Sequence, residues 1–230
     1  MDPQTLPAKE LAIYEKIKSQ FKVAFEPLTV QQHRLNLLKY TDLEEILDGK
    51  DPFKNPSEFP VWIRLWESAI VLADFLADQQ PKPGTTMLEL GAGLGATGLV
   101  AAAAGFEVTL SDYEERILEF QQINAAASGL TGVRFKLLDW LQPTALEQYD
   151  VIIGSEILYR EDFLEPLLAI FQQALKPGGV IFLAHDEGRQ NVAPFLRLAE
   201  ETFSIGMTRR KLKSLDKDKV ILLTRLKRRD

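Results

Sequence analysis

Residues 88–98 read Leu-Glu-Leu-Gly-Ala-Gly-Leu-Gly-Ala-Thr-Gly: an apolar strand carrying one acid runs into a glycine-packed turn, and an Ala-rich helix follows. Glycine lacks a Cβ and adopts positive φ freely, so such a turn lets the backbone pass close to a nucleotide-like ligand. The helix behind it offers unpaired N–H groups to a polar or anionic part of that ligand. The stretch predicts a cofactor cleft at the carboxyl end of the first strand of an open α/β sheet. It leaves the cofactor's identity open.

Two cofactors fit the turn. Gly93, Gly95 and Gly98 satisfy G-x-G-x-x-G, the dinucleotide fingerprint, with Asp112 at about the distance of a ribose-binding acid. The longer string Glu89-x-Gly91-x-Gly93-x-Gly95 resembles motif I of the class I S-adenosylmethionine-dependent methyltransferases, in which an acid sits two residues before the first glycine. S-adenosylmethionine carries a positive sulfonium and no phosphate, so an acid beside the turn suits it and repels a pyrophosphate. A strand-to-helix turn with no ligand needs fewer than three alternate glycines.

Composition narrows the chemistry. A chain of 230 residues suits one domain with a central sheet covered on both faces. Its 46% hydrophobic and 26% charged content is that of a globular protein. The absence of cysteine removes disulfides, thiolate zinc sites and cysteine nucleophiles. With only His33 and His185, no metal site is expected. No apolar run is long enough to span a membrane, and the N-terminus lacks an apolar signal core, so a cytoplasmic, monomeric protein is expected.

Charge is unevenly placed. Residues 209–230 hold ten Lys or Arg against three Asp, about +7, which leaves about −13 on the rest of a chain of net charge −6. A basic tail can meet nucleic acid; the plainer reading is a solvated strand pair whose lysines discourage edge-to-edge pairing. The acidic remainder argues against nucleic acid as the main substrate and is compatible with a basic protein target.

Hydrophobic spacing predicts a short amphipathic helix over residues 6–19, a strand over 21–25 that Pro27 ends, and a loop over 48–60. Residues 1–60 therefore read as an N-terminal extension of helix, short strand and loop, ahead of a domain over 61–230. From Trp66 onward helices and strands alternate: helix 68–79, strand 86–90, helix 97–104, strand 106–110, helix 114–127, strand 133–138, strand 151–154, helix 163–175, a Pro177-Gly178-Gly179 turn, strand 180–184, helix 192–202, then strands 203–208 and 220–226. This order implies an α/β, doubly wound, mostly parallel sheet with right-handed crossovers. The closing antiparallel hairpin makes it seven-stranded and similar to the methyltransferase fold.

The resemblance becomes specific over residues 62–226. Leu65-Trp66-Glu67-Ser68-Ala69, Leu88 to Gly98, Ser111-Asp112-Tyr113, Asp139-Trp140, Ser155-Glu156-Ile157-Leu158-Tyr159 and Leu164-Glu165-Pro166-Leu167-Leu168 are similar to segments of the seven-β-strand protein-lysine methyltransferases, the group that includes the valosin-containing-protein lysine methyltransferase. Motif I indicates only the superfamily; Trp66 combined with Glu156-x-x-Tyr159 is more specific to this group. The first sixty residues lie outside the likeness.

The resemblance implies an S-adenosyl-L-methionine site formed by Trp66, Glu89, Gly91, Ala92, Gly93, Gly95, Asp112, Tyr113, Asp139, Trp140 and Ser155. Asp112 would accept hydrogen bonds from two ribose hydroxyls; capping the helix near Glu114 is its alternative task. Asp139 would take the adenine amino group and Trp140 would cover the ring, unless they form an exposed loop beside a partly buried indole. Trp66 would close over the cofactor, and Trp62 reads as core or substrate rim. Glu156 and, one turn along, Tyr159 are the catalytic candidates: the acid docks the acceptor amine and the phenol walls its channel. His185, Asp186, Glu187 and Arg189 border the substrate entrance without an assigned step.

The resemblance thus implies methyl transfer to a lysine side chain of a protein. A small-molecule N- or O-methyltransferase, or a non-catalytic cofactor-binding subunit of the same fold, fits motif I as well. The Asp/Asn-Pro-Pro-aromatic motif of amino-nucleobase methyltransferases is absent.

Overall fold

In the computed structural model, which describes residues 1–42, 46, 60–143, 146–212 and 218–229, the elements in chain order are α1 (Ala8–Lys18), β1 (Val23–Val30), β2 (His33–Tyr40), α2 (Glu67–Ala77), β3 (Thr86–Leu90), α3 (Ala96–Ala103), β4 (Glu107–Asp112), α4 (Glu115–Ala127), β5 (Arg134–Leu137), β6 (Tyr149–Ser155), α5 (Leu164–Ala174), β7 (Leu175–Asp186), α6 (Val192–Ala199), β8 (Phe203–Leu212) and β9 (Lys219–Arg228). The loop expected over 48–60 falls, but for Pro60, outside the described residues.

Strand β3 shows why the sheet sits in the middle. Four of its five residues are buried; Leu88 and Leu90 pack on one side with α5 and α6, while Met87 packs on the other with α2 and α3. A strand apolar on both faces belongs inside a parallel sheet covered by helices. The seven strands lie in the order β5-β4-β3-β6-β7-β9-β8. The first five are parallel, and β9 runs antiparallel to both β7 and β8. This is the doubly wound, mostly parallel sheet with a C-terminal antiparallel pair that the element order implied. No helix among the described residues is long and apolar enough to cross a membrane.

Pro27 does not end its strand. β1 continues through it to Val30 and pairs antiparallel with β2, with Pro27 opposite Asn36, in a separate two-stranded sheet. The Asn36 N–H points away from β1 and donates to Ser128 Oγ at 3.0 Å, as the Leu38 N–H donates to Asn124 Oδ1 at 2.6 Å. Position 27 therefore sits where the ladder asks for no N–H, the one place proline is tolerated within a strand. β2 itself lacks a clean alternation because it is buried on two sides: Leu35 and Leu37 join the core with α2 and α3, and Leu38 joins a third cluster with Trp62, Ile117 and Phe120. The hairpin and α1 thus share the core with the elements that follow them.

A second departure lies at Pro177-Gly178-Gly179. The expected turn is a kink inside the long strand β7, where Gly178 has φ +75° and the pairing with β6 shifts register between Tyr149 and Val151. Other boundaries move by one to five residues; β4 gains Asp112 as its last residue and α6 ends at Ala199.

Asn124 joins hairpin to domain: besides accepting from Leu38, its Nδ2 donates to the Leu94 carbonyl at 2.9 Å, and the residue is fully buried. Replacing Asn124 by Ala leaves a buried donor and a buried acceptor without partners, at ~2–4 kcal/mol together. The melting temperature should fall by about 4–16 °C. A fall of under a degree or two would show that water takes over both bonds.

Candidate active site

Strand order reverses between β3 and β6, since β4 and β5 extend the sheet on one side of β3 and β6 returns to the other. Ligands of open α/β sheets bind outside the carboxyl ends of the strands at that point. Three segments that carry candidate residues end there: the glycine turn after β3, Asp112 closing β4, and Ser155-Glu156 closing β6.

The turn is a cradle held from beneath. Gly91, Gly93 and Gly95 have φ of +60°, +52° and +80°, and Gly95 is the N-cap of α3. A Cβ on Gly91 would lie 3.1 Å from the Trp140 indole and 3.3 Å from Ile157. The turn's carbonyls face inward: Gly93 O accepts from Gln121 Nε2 at 3.0 Å and Leu94 O from Asn124. The Ala92 N–H donates to Ser111 O at 3.0 Å. Neither Gln121 nor Asn124 stood out in the sequence, because a buried amide on a helix carries no motif.

Two buried acids fix the outer edge. Glu89 Oε2 accepts from the Gly98 N–H at 2.8 Å, so close that a Cβ on Gly98 would meet that oxygen at 2.5 Å. Asp112 accepts from the Gly93 N–H at 2.8 Å and from the Tyr113 N–H at 2.9 Å. It does not cap α4, whose N-cap is Glu114 with no side-chain bond. Burial raises the Glu89 carboxyl to about 8, with the Asp112 charge adding to the rise and the Gly98 bond opposing it. Burial likewise raises Asp112 to about 6, against its two backbone bonds. The partners of both acids are backbone amides and, for Glu89, a hydroxyl, and no cation is among the causes of either shift. Of the two, Asp112 is the acid that is charged at neutral pH; as an acceptor it fits a pair of ribose hydroxyls, and its charge suits a cationic sulfonium and disfavours a pyrophosphate.

The remaining cofactor candidates occupy different depths. Trp140 is buried, with its ring edge-on to Phe163 at 5.2 Å, and forms floor rather than lid. Asp139 is exposed and closes a local turn by accepting from the Leu141 N–H at 2.9 Å. Tyr113 is 59% exposed and Ser155 is half-buried. Trp62 is core, packed edge-on to Tyr40 and Phe120.

Glu156 and Tyr159 are not one helical turn apart, because residues 156–159 form no helix. Glu156 has φ +55°, a left-handed conformation that costs a non-glycine residue about 1–3 kcal/mol and is met mainly at functional sites. Beyond that kink Ile157 and Leu158 enter the core. Tyr159 stacks edge-on to Phe163 at 5.4 Å, and burial with the nearby Asp112 and Tyr113 charges pushes its hydroxyl up to about 12. It does not line the cavity that Glu156 faces. Glu156 instead faces a cavity of about 230 Å³ that Trp66, Ser68, Asp186 and Arg189 also line. Its Oε1 accepts from the Asp186 N–H at 2.8 Å, and its Oε2 pairs with Arg189 Nε. Arg189 also lies 5.4 Å from the Trp66 ring, whose Nε1 is anchored on Val61 O at 3.0 Å. Trp66 is thus brought to Glu156. His185, one residue before Asp186, is buried, and burial lowers its imidazole to about 3, so it stays neutral. The Arg189 contact had no sequence signal: 33 positions separate it from Glu156, and only the adjacency of β6 and β7 brings them together.

Comparison with known proteins bears on this geometry. Residues 57–202 match a protein family described as lysine methyltransferase. The chain is 30% identical over 161 residues to EEF1A lysine methyltransferase 3 of Mus musculus, covering 67% of this chain and 69% of the relative. It is 31% identical over 150 residues to the protein N-lysine methyltransferase METTL21A of Xenopus tropicalis, covering 62% and 68%. The fold is shared with magnesium protoporphyrin IX methyltransferase from Synechocystis, solved with bound S-adenosylmethionine, at a TM-score of 0.56 and 20% identity over 69% of this chain and 77% of that one.

The raised Glu89 carboxyl gives the ligand-free protein a signed pH dependence. Between the ordinary glutamate value of about 4.3 and about 8, the folded chain keeps a proton that the unfolded chain has released. Stability from this group is full below that window and is lost as pH rises through it; Asp112 acts in the same sense up to about 6. Glu89→Gln keeps an oxygen for Gly98 and removes the charge. Its melting temperature should drop less than the parent's between pH 5.5 and 8; parallel curves would show that Glu89 does not titrate there.

Proposed function

The chain belongs to the lysine methyltransferase family and is an S-adenosylmethionine-dependent enzyme, and from that premise we propose that it methylates a lysine side-chain amine of a protein at the cavity behind Glu156. S-adenosylmethionine supplies an electrophilic methyl group on its sulfonium. The chain's own residues bind, orient and keep water away.

On the cofactor side, Asp112 keeps lone pairs free beyond its two backbone bonds and can accept from the ribose hydroxyls. Gly91 lets the backbone approach, Trp140 lies beneath it, and Asp139, Tyr113, Ala92 and Ser155 rim the cleft. Glu89 acts from below, through Gly98, by fixing the turn. Tyr159 walls the side nearest Asp112.

On the acceptor side the observation that carries the reading is Glu156 itself: a nearly buried carboxylate, held in a left-handed backbone conformation, facing a cavity lined by a tryptophan. At about 230 Å³ that cavity suits a side chain rather than a drug-sized ligand, whose sites run from about 300 to 1,000 Å³. A carboxylate there orients an amine, and an indole beside it favours a cationic or aliphatic chain. In-line transfer then depends chiefly on position.

Methyl-labelled S-adenosylmethionine with a size-fractionated lysate tests the acceptor class. Label should enter protein bands and appear as methyl-lysine after hydrolysis; label confined to small molecules would overturn the protein reading. Glu156→Gln should cut that turnover by ~10²-fold and leave S-adenosylhomocysteine affinity unchanged. Full turnover would remove Glu156 from the site. Asp112→Ala should instead weaken S-adenosylhomocysteine binding by ~1.5–3 kcal/mol, roughly ten- to a hundredfold, read by calorimetry; unchanged affinity in a folded variant would leave Asp112 a purely structural acid.

A further inference from the structure

An amine accepts a methyl group only after it has lost its proton. The nitrogen lone pair forms the new N–C bond, the C–S bond breaks, and the product amine carries the positive charge that the sulfonium gives up. A lysine ammonium, with a pKa of about 10.4 in water, must first release a proton to solvent. A bare buried carboxylate beside it works against that step, because an opposite charge within a few ångströms favours the charged form. The site that orients the amine would then also hold it in the unreactive state.

The structure contains a remedy. Five charged side chains line the cavity, Glu67, Glu156, Asp186, Arg189 and Lys219. Glu67 is matched by Lys219 at 2.6 Å and by Arg64 at 3.5 Å. Asp186 turns its Oδ1 onto the Gly188 N–H at 2.8 Å, and Glu187 just beyond pairs outward with Arg209 at 2.8 Å. His185, on β7, is neutral. Arg189 is left facing Glu156, and its side chain is one-third exposed while that of Glu156 is 8% exposed. Arg189 thus reaches in from the cavity mouth to the inner acid. Resting on the reading of Glu156 as the acceptor carboxylate, we propose that Arg189 is a positioning residue that cancels the Glu156 charge, so that Glu156 orients the acceptor nitrogen as a hydrogen-bond acceptor without holding it as an ammonium.

The Arg189 contact leaves capacity for this task. A carboxylate has about four lone-pair sites, and the Asp186 N–H and Arg189 Nε occupy one on each oxygen. Arg189 cannot serve as a base, because a guanidinium does not lose its proton in proteins. Its second contact, 5.4 Å from the Trp66 ring, steadies it beside the cavity.

The test is the pH profile of methyl incorporation into lysate protein at saturating methyl-labelled S-adenosylmethionine, from pH 6.5 to 9.5. Arg189→Gln leaves the carboxylate uncompensated, so its profile should move to higher pH by about one unit or more. That is a loss of about tenfold at pH 7 that recovers as pH rises. Arg189→Lys keeps the charge and should keep the parent profile. Glu156→Gln leaves Arg189 uncompensated, and its residual activity should move the opposite way, to lower pH. The double variant, which carries neither charge, should return to the parent position. S-adenosylhomocysteine affinity should be equal throughout. Profiles that keep their position, or that fall equally at every pH, overturn the proposal while leaving Glu156 in the site if Glu156→Gln is slow. Full turnover by Glu156→Gln removes the acceptor reading and the proposal together. If Arg189→Gln does not fold, the acidic shift of Glu156→Gln and its reversal in the double variant still decide.

Discussion

The glycine turn after β3 depends on buried side chains that bond to backbone rather than to one another. Asp112 holds the Gly93 amide, Glu89 the Gly98 amide, Gln121 the Gly93 carbonyl and Asn124 the Leu94 carbonyl. A turn of such residues has many accessible conformations when unfolded, and ordering it is entropically expensive. Backbone groups buried without partners would add to that cost. The four polar side chains meet both demands at once, and they reach the turn from β3, β4 and α4. The glycine turn is therefore preformed by the fold and does not wait for a ligand to shape it.

The proposed acceptor side is built on different physics. There a single strained residue, Glu156, aims its carboxylate across to β7, and the strain is offset by the Asp186 amide, the Arg189 guanidinium and the Ala184 carbonyl that receives the Glu156 N–H at 2.9 Å. Low-population backbone conformations persist only where surroundings over-determine them. The arrangement differs in charge across the cleft: Glu89 and Asp112 have no cationic partner, whereas in the cavity Glu156 is paired with Arg189 and Glu67 with Lys219. A cationic donor and a substrate that must become neutral ask for that difference.

Much of this was legible from residue spacing, and the failures are instructive. Glu89, the alternate glycines and Asp112 are close in sequence because a strand–turn–helix–strand unit is local, so their meeting around one turn is legible from spacing. Glu156 could be read as an acid after the fourth parallel strand. Its left-handed φ could not, since Glu is no turn signal, and with it the helical turn expected between Glu156 and Tyr159 is missing. Arg189 and the buried amides of α4 depend on tertiary adjacency, for which no pattern exists in one sequence. The hairpin was hidden for two reasons: Pro27 usually marks a strand end, and β2, buried on both sides, lacks the alternation of a half-exposed strand.

Pro27 has a consequence beyond its own strand. The hairpin is two-stranded, and β2 is occupied on its far side by α4, so the outer margin of β1 is the only place where this small sheet could grow among the described residues. Another chain recruited there would need a donor at position 27, where the pyrrolidine ring offers none and stands in the way. The residue that looks like an interruption thus works against strand-to-strand pairing along that margin.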